Sequence, residues 1–438
     1  MTISCPRVLT RTLLLALAFL GSFASQLWAA SPCSNEFYQK LTEPATKNNR
    51  EIWVQCNAKL KGNEVITKRL VFAGEHSSGV SFDCQGAWLD GGDGQVNEGV
   101  DMIEIRSRLQ PLKPENRSET PDYFELREWI PPKNIRIQNC KIRGSMRIIG
   151  LGRNGEADPV RRSSMRENHS EFIQSRAPSS IELNKLTIEG TGRIPLYLAP
   201  GVHDVSINQS IIGGESVSVA VYFDAESTRN RLSHSVIRTQ SKRESLALDG
   251  SSYNQIIGNS FRSLSNGGIF LYRNCGEGGT IRHNTPSHNQ IINNTFYYKS
   301  YNPLFSWIFG KEPAIYIGSR DGGKYYCDDD KGKSFGSSSS DKDFARYNVI
   351  AQNKLFKFAP EEMFLEGSAS SKPNYFFNNE ELSDQSFETE QKTPSGCVLL
   401  PAQPDPSATA TQQPLFIDSG EQYQQWRCQS GQLNPTLQ

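Results

Sequence analysis

Residues Tyr253–Phe261 read YNQIIGNSF, His288–Phe296 read HNQIINNTF and Tyr347–Leu355 read YNVIAQNKL. All three have the form x-N-x-I-x-x-N-x-Φ, where Φ is apolar, so three kinds of position recur together. Weaker copies occupy Lys133–Ile142 (KNIRIQNCKI), His203–Ile211 (HDVSINQSI) and Arg229–Ile237 (RNRLSHSVI). Matching Asp204 to Asn230 and Asn230 to Asn254 gives steps of 26 and 24 residues. The later steps, 35 to Asn289 and 59 to Asn348, are stretched by insertions.

A second short apolar run lies between copies, at Ile194–Leu198, Val219–Phe223, Leu246–Leu248, Ile269–Leu271, Ala314–Ile317 and Met363–Leu365. Each period therefore holds a few short strands with β-branched alternation, separated by Gly, Asn, Ser and Asp turns. Strands this short suit a coil in which each turn pairs with the next at about 4.8 Å. The expected fold is all-β, a single-stranded right-handed parallel β-helix with a continuous apolar bore and inserted loops. Its Asn positions are expected at turns, stacking from coil to coil and hydrogen-bonding the backbone. Leucine-rich and propeller repeats are disfavoured because neither LxxLxLxxN nor WD signatures occur and the period is too short for a blade.

Outward from the repeat, Val80–Gly91 (VSFDCQGAWLDG) reads as an early coil, and Ser34–Leu41 as a short N-terminal helix capping the open end of the solenoid. The chain divides into a leader at 1–30, a cap and first strands at 31–79, the β-helix at 80–380 and a partly flexible tail at 381–438. Arg106–Pro132, Gly152–Pro178 and Lys299–Lys311 read as inserted loops; Ser334–Asp341 and Pro401–Pro414 have the composition of flexible segments.

Arg7 and Arg11 precede the apolar run Leu13–Leu20, with small residues at Ala24, Ala29 and Ala30, the order of a secretory signal. No other stretch approaches the length of a membrane helix. Of nine cysteines, Cys5 belongs to the leader, and the remaining eight suit disulfides in an oxidising compartment. Cys33 with Cys56 is one expected pair; Cys397 or Cys428 is expected to tie down the tail. The protein is expected to be secreted or periplasmic. The 47 basic and 47 acidic side chains give no electrostatic footprint for nucleic acid.

The repeat signature resembles that of the pectin-lyase-like superfamily of right-handed β-helices over most of Val80 to Gly367. The resemblance implies action on a polysaccharide, often an acidic one, along a groove outside the coils. Leu246–Asn274 (LALDGSSYNQIIGNSFRSLSNGGIFLYRN) is similar to a coil of the chondroitinase B and alginate lyase family, matching at Asn254, Asn259, Phe261, Gly268 and Arg273. The position of that family's catalytic Lys holds Gly250 or, with a slip of one, Asp249. Arg273 is thereby implied to offset a substrate carboxylate, while Asp249, Tyr272 or His283 must supply the base.

Alternation assigns faces independently. With Val219, Val221 and Phe223 inward, Tyr222 and Asp224 point out, as do Tyr197 on the coil before, Ala247 and Asp249 on the next, then Phe270 and Tyr272, then Tyr316. Flat rings with interspersed acids suit a saccharide. Asp224, Asp249, Tyr272 and Arg273 are thus expected to converge in an open groove, with Tyr197, Tyr222, Phe270, His283 and Arg282 binding substrate. Basic neighbours including Arg282 favour an anionic ligand. Asp328–Asp330 offer oxygens to calcium, against the plainer reading of a solvated acidic loop. The sequence leaves three functions open: a lyase or epimerase-like enzyme, a non-catalytic glycan or surface-partner binder, and a glycoside hydrolase using Asp224 and Asp249.

Overall fold

The computed structural model describes residues 30–112, 124, 126–153, 158–298, 313–318, 323–357, 364–366, 369–383, 397–399 and 426–428. Three long sheets run side by side, and the chain visits them in rotation. Sheet one starts at Glu51–Trp53 and ends at Phe364–Glu366; sheet two runs from Ala58–Lys59 to Tyr375–Phe377; sheet three runs from Val65–Ile66 to Glu380–Ser383. One strand from each makes a coil, giving ten coils, and every pairing between successive coils is parallel. The fold is the expected right-handed parallel β-helix, the hand that parallel connections adopt.

The bore is filled by inward residues of each short strand, such as Ile256, Ile291 and Ile350 of sheet two, all fully buried. Phe261 and Phe296 stack inside it with centroids 5.0 Å apart. The corners on either side of sheet two are held by two vertical asparagine columns. In the first, Asn230, Asn254, Asn289 and Asn348 each donate a backbone N–H to the side-chain oxygen of the asparagine below, at 2.8–3.0 Å, ending on Asn374. In the second, Ser235, Asn259, Asn294 and Asn353 do the same at 3.0 Å, ending on Asn379. The residue before each of these asparagines except the last, Asn374, turns the chain with positive φ, as at Tyr253, His288 and Tyr347. This recurring corner is the physical content of the repeat.

One match shifts by a residue. Asp204, aligned by sequence with Asn230, sits at the left-handed corner that Arg229 occupies on the next coil, and Val205 stands at the ladder position, donating to Asn230 Oδ1 at 3.0 Å. Aspartate tolerates the left-handed conformation as asparagine does, so residue type alone did not fix the phase.

The capping helix is present as α1 (Asn35–Thr42), with Ser34 at its N-cap accepting the Phe37 N–H and Leu41 buried against the first coil. Disulfides join Cys33 to Cys56, Cys84 to Cys140 and Cys275 to Cys327. In the tail, Cys397 stands opposite Cys428 in an antiparallel strand pair. Apart from Ala30, the leader lies outside the described residues, as do all of Lys299–Lys311 and Pro401–Pro414. Ser334–Asp341, flexible by composition, is instead built in: the turn Gly336–Ser339 buries Ser337, which donates to Asp330 and receives the Arg282 N–H. The insert Gly152–Pro178 carries α2 (Asp158–Ser164) and α3 (His169–Gln174).

Asn289 accepts from the Asn254 N–H and side chain, donates its own N–H to Asn348 and gives Nδ2 to Ser251 O. Replacing it with Ala strands several buried groups and should cost about 1–3 kcal/mol or more of stability in urea unfolding, whereas Gln290→Ala, on the half-buried outer face, should cost well under 1 kcal/mol.

Candidate functional site

The outer face of sheet one divides into a charged half and an aromatic half. On the early coils Trp53, Val71, Glu104 and Arg147 stand in register. Glu104 is buried between Arg69 and Arg106, the latter at 2.8 Å, and the Arg106 guanidinium lies 5.3 Å over the Trp53 ring. Arg147 is held by Asp101 at 3.4 Å and lies 5.4 Å over Tyr197; burial pulls its pKa down to about 10. Alternation in Asp101–Arg106 (DMIEIR) and Ser145–Ile149 (SMRII) would have revealed Glu104 and Arg147 as outward, yet neither was among the expected site residues.

The column continues as Tyr197, Tyr222, Ala247, Phe270 and Tyr316, each opposite the next. This is the order that strand parity predicts. Tyr197 and Tyr222 lie 5.6 Å apart and Phe270 and Tyr316 5.2 Å apart. Tyr222, Phe270 and Tyr316 are half-buried, while Tyr197 is buried.

At the ends of these strands the phenols reach down one coil. Tyr197 donates to Asp224 Oδ2 at 2.5 Å and Tyr222 to Asp249 Oδ2 at 2.6 Å. Asp224 also accepts the Ala225 N–H, and Asp249 the Asn274 N–H, each at 2.7 Å. Arg282 places Nε 3.7 Å from Asp249. Burial, followed by the charge of Asp249, raises the Asp224 pKa to about 6, against the pull of Arg282 and the Tyr197 hydrogen bond. Burial acts to lower the Arg282 pKa, but Asp249 and Asp224 outweigh it and keep the guanidinium charged. Burial and then Asp249 hold the Tyr222 phenol well above its ordinary range. Two carboxyls in unlike surroundings beneath a polar and aromatic face form an arrangement suited to acid–base chemistry.

The other expected residues are placed differently. Tyr272 is buried on the same face, its hydroxyl between Arg243 and Glu244 at 3.0 Å each. Arg273 is also buried and donates to Ser340 O at 2.7 Å, to Lys342 O and to Arg282 O, so its guanidinium braces an insert instead of facing a groove. His283 bonds Ser164 O at 2.8 Å and packs 5.0 Å from the His169 ring. Asp224 and Asp249 are only 2% and 0% exposed, so the expected open groove is closed over them. The roof is formed by residues 281–285, in the long connection after Arg273, where His283 and Arg282 were expected to meet substrate instead of covering the pair. Glu226, a buried carboxylate that fastens this roof, was also missed because it occupies a turn position.

Of the three consecutive aspartates, Asp328 pairs with Lys331 at 2.6 Å and Asp330 turns inward to Ser337. Among the described residues no three His, Cys, Asp or Glu side chains gather as a metal site.

No protein-family model matches the chain, and no curated protein matches it. Solved structures are similar at low identity. The catalytic domain of a GH87 α-1,3-glucanase, in complex with tetrasaccharides, is 13% identical with a TM-score of 0.41; the match covers 75% of this chain and 51% of that one. The A-module of the Azotobacter vinelandii mannuronan C-5 epimerase AlgE6 is 10% identical, TM-score 0.34, with coverage of 75% and 81%. PfbA, a surface adhesin of Streptococcus pneumoniae, is 8% identical, TM-score 0.32, with coverage of 76% and 85%.

The Asp224 pKa yields a prediction with a definite sign. Between an unfolded value of about 4 and a folded value of about 6, the native state binds more protons than the unfolded one. Asp224 therefore contributes stability fully below that window and loses it as pH rises through 6. In thermal unfolding from pH 4 to 7, the difference between wild type and Asp224→Asn should move against wild type as pH rises; a pH-independent difference would contradict the assignment.

Proposed function

We propose that this chain is an exported, polysaccharide-active β-helix protein that takes its glycan along the outer face of sheet one and carries acid–base chemistry in the Asp224–Asp249 pair. The observation that supports this best is the pair itself: two stacked carboxyls, each bridged by a tyrosine of that face, one with its pKa raised and the other beside Arg282. Export is supported by the leader-like first residues and three disulfides. Half-buried rings at Tyr222, Phe270 and Tyr316 suit sugar faces, and Arg243, 41% exposed at the side of the column, suits an acidic group.

The chemistry favoured is cleavage or rearrangement by a pair of carboxyls, one with its pKa raised and the other beside a guanidinium, the kind of pair that glycoside hydrolysis uses. A lyase or epimerase route through Arg273 and Tyr272 finds less support, since Arg273 is committed to carbonyls and Tyr272 to Arg243 and Glu244. Asp249 remains as the base such a route would employ, with Arg282 in place of Arg273. The burial of the pair favours a second reading, a glycan binder without turnover.

Incubation with alginate, pectate, chondroitin sulfate and a neutral α-glucan distinguishes these readings: new reducing ends mark hydrolysis, unsaturated-product absorbance marks a lyase, and NMR marks epimerisation. Tyr222→Ala and Phe270→Ala should each weaken binding of the preferred glycan roughly 3–10-fold. Asp249→Asn should lower turnover by roughly 100-fold or more; affinity with no product, and no effect of Asp249→Asn, would leave only the binder.

A further inference from the structure

Residues 281–285 cross the mouth of the Asp224–Asp249 pair. The Asn284 carbonyl passes so close to Gly250 that a Cβ there would lie 3.1 Å from it, next to Asp249. Arg282 projects beneath this crossing toward Asp249. It is 1% exposed, and its Nε and Nη1 have no hydrogen-bond partner. Asp249 and, at 3.5 Å, Glu277 hold the buried guanidinium electrostatically, and the backbone that carries it is fastened from outside.

The fastening comes from three directions. Ser164 of α2 accepts the Ile281 N–H at 2.9 Å and takes His283 Nε2 on its carbonyl at 2.8 Å. The Ser337 hydroxyl accepts the Arg282 N–H at 2.8 Å, and the Ser337 N–H donates to the Arg282 carbonyl at 2.9 Å. At the centre is Glu226, which is fully buried. Its carboxylate accepts the His283 N–H at 2.7 Å, the Asn284 N–H at 3.1 Å and the Ser170 hydroxyl of α3. Glu226 stands on the coil corner directly after the strand that carries Asp224, at φ 63°. One buried carboxylate thus ties the coil, the roof and α3 together.

We propose that residues 281–285 are a strap that shuts the carboxylate pair off from solvent, with Glu226 as its latch. Lifting the strap hydrates Arg282, satisfies its donors and opens Asp224 and Asp249 to the outer face where the glycan is placed. The closed state keeps Arg282 beside Asp249, and the carboxylate of Glu226 fastens the backbone that carries it. This inference rests on the functional reading above only for the purpose of the opening, not for its mechanics.

The test is amide hydrogen exchange on the full chain. In Glu226→Ala the His283 and Asn284 amides should exchange at least ~10-fold faster, and nitration of Tyr222 should accelerate, while Ile256 and Ile291 of the central coils keep their protection. Ser170→Ala, a milder change, should shift both readouts in the same direction by less. Wild-type rates at His283 and Asn284 in both variants would overturn the latch, as would faster exchange with no change at Tyr222. Glycan affinity is measured separately: a gain in Glu226→Ala supports control of access, and a Glu226→Ala protein that opens while Tyr222→Ala leaves glycan binding untouched would overturn the functional reading and not the latch.

Discussion

The hydrogen bond from a backbone N–H to the asparagine side chain one coil below is the constraint on which the rest of this structure depends. It repeats on both sides of sheet two, and each bond fixes the vertical register of one coil on the next to within a residue. A parallel sheet of three-residue strands has little else to specify register, because a slip of one residue would reverse every inward side chain. The ladder prevents that slip while the corner residue with positive φ supplies the turn. On the later coils the vertical columns, including the phenols over the carboxyls, inherit their alignment from these two rows of amides.

That dependence explains what could be read from the sequence. Repeat spacing plus strand parity placed Tyr197, Tyr222, Ala247, Phe270 and Tyr316 in one outward column, and the register agrees residue by residue. The phase of Asp204 was one residue off, because Asp and Asn both suit a left-handed corner and only the neighbouring strand decides which position is meant. The roof was not legible for a different reason. Its contacts join residues far apart in irregular inserts, Ser164 to Ile281 across 117 positions for example, with no periodicity to expose them. Glu226 looked like a turn residue and is one; its carboxylate happens to face inward beneath the roof.

Electrostatics divide the outer face along the coil axis. The early coils bury their charges as mutual pairs, Glu104 with Arg69 and Arg106, Arg147 with Asp101. The later coils pair carboxyls with phenols instead, and this choice has a consequence. A guanidinium partner at full contact would hold Asp224 ionised, whereas a phenol only partly offsets burial and the neighbouring Asp249, which leaves the pKa raised. His169, buried under the same inserts, shifts the other way: burial and then the charge of His283 lower it to about 4, against Glu226. Its unfolded form binds more protons between about 4 and 6.5, so it removes stability as pH falls through that window, opposing the trend of Asp224.

The tyrosine bridges also give the pair a mechanical role that is inseparable from its chemical one. Each spans from one coil to a carboxyl on the next, so it is at once a tie between coils and a hydrogen-bonded route from the outer face to a buried acid. A purely structural tie would be served as well by an asparagine, as both ladders show, without the cost of burying charge. Two carboxyls stacked on successive coils repel each other, and what they give the fold that amides would not is a counter-charge for the buried Arg282. Under the function proposed above, the same two groups supply an acid–base pair that an amide ladder could not.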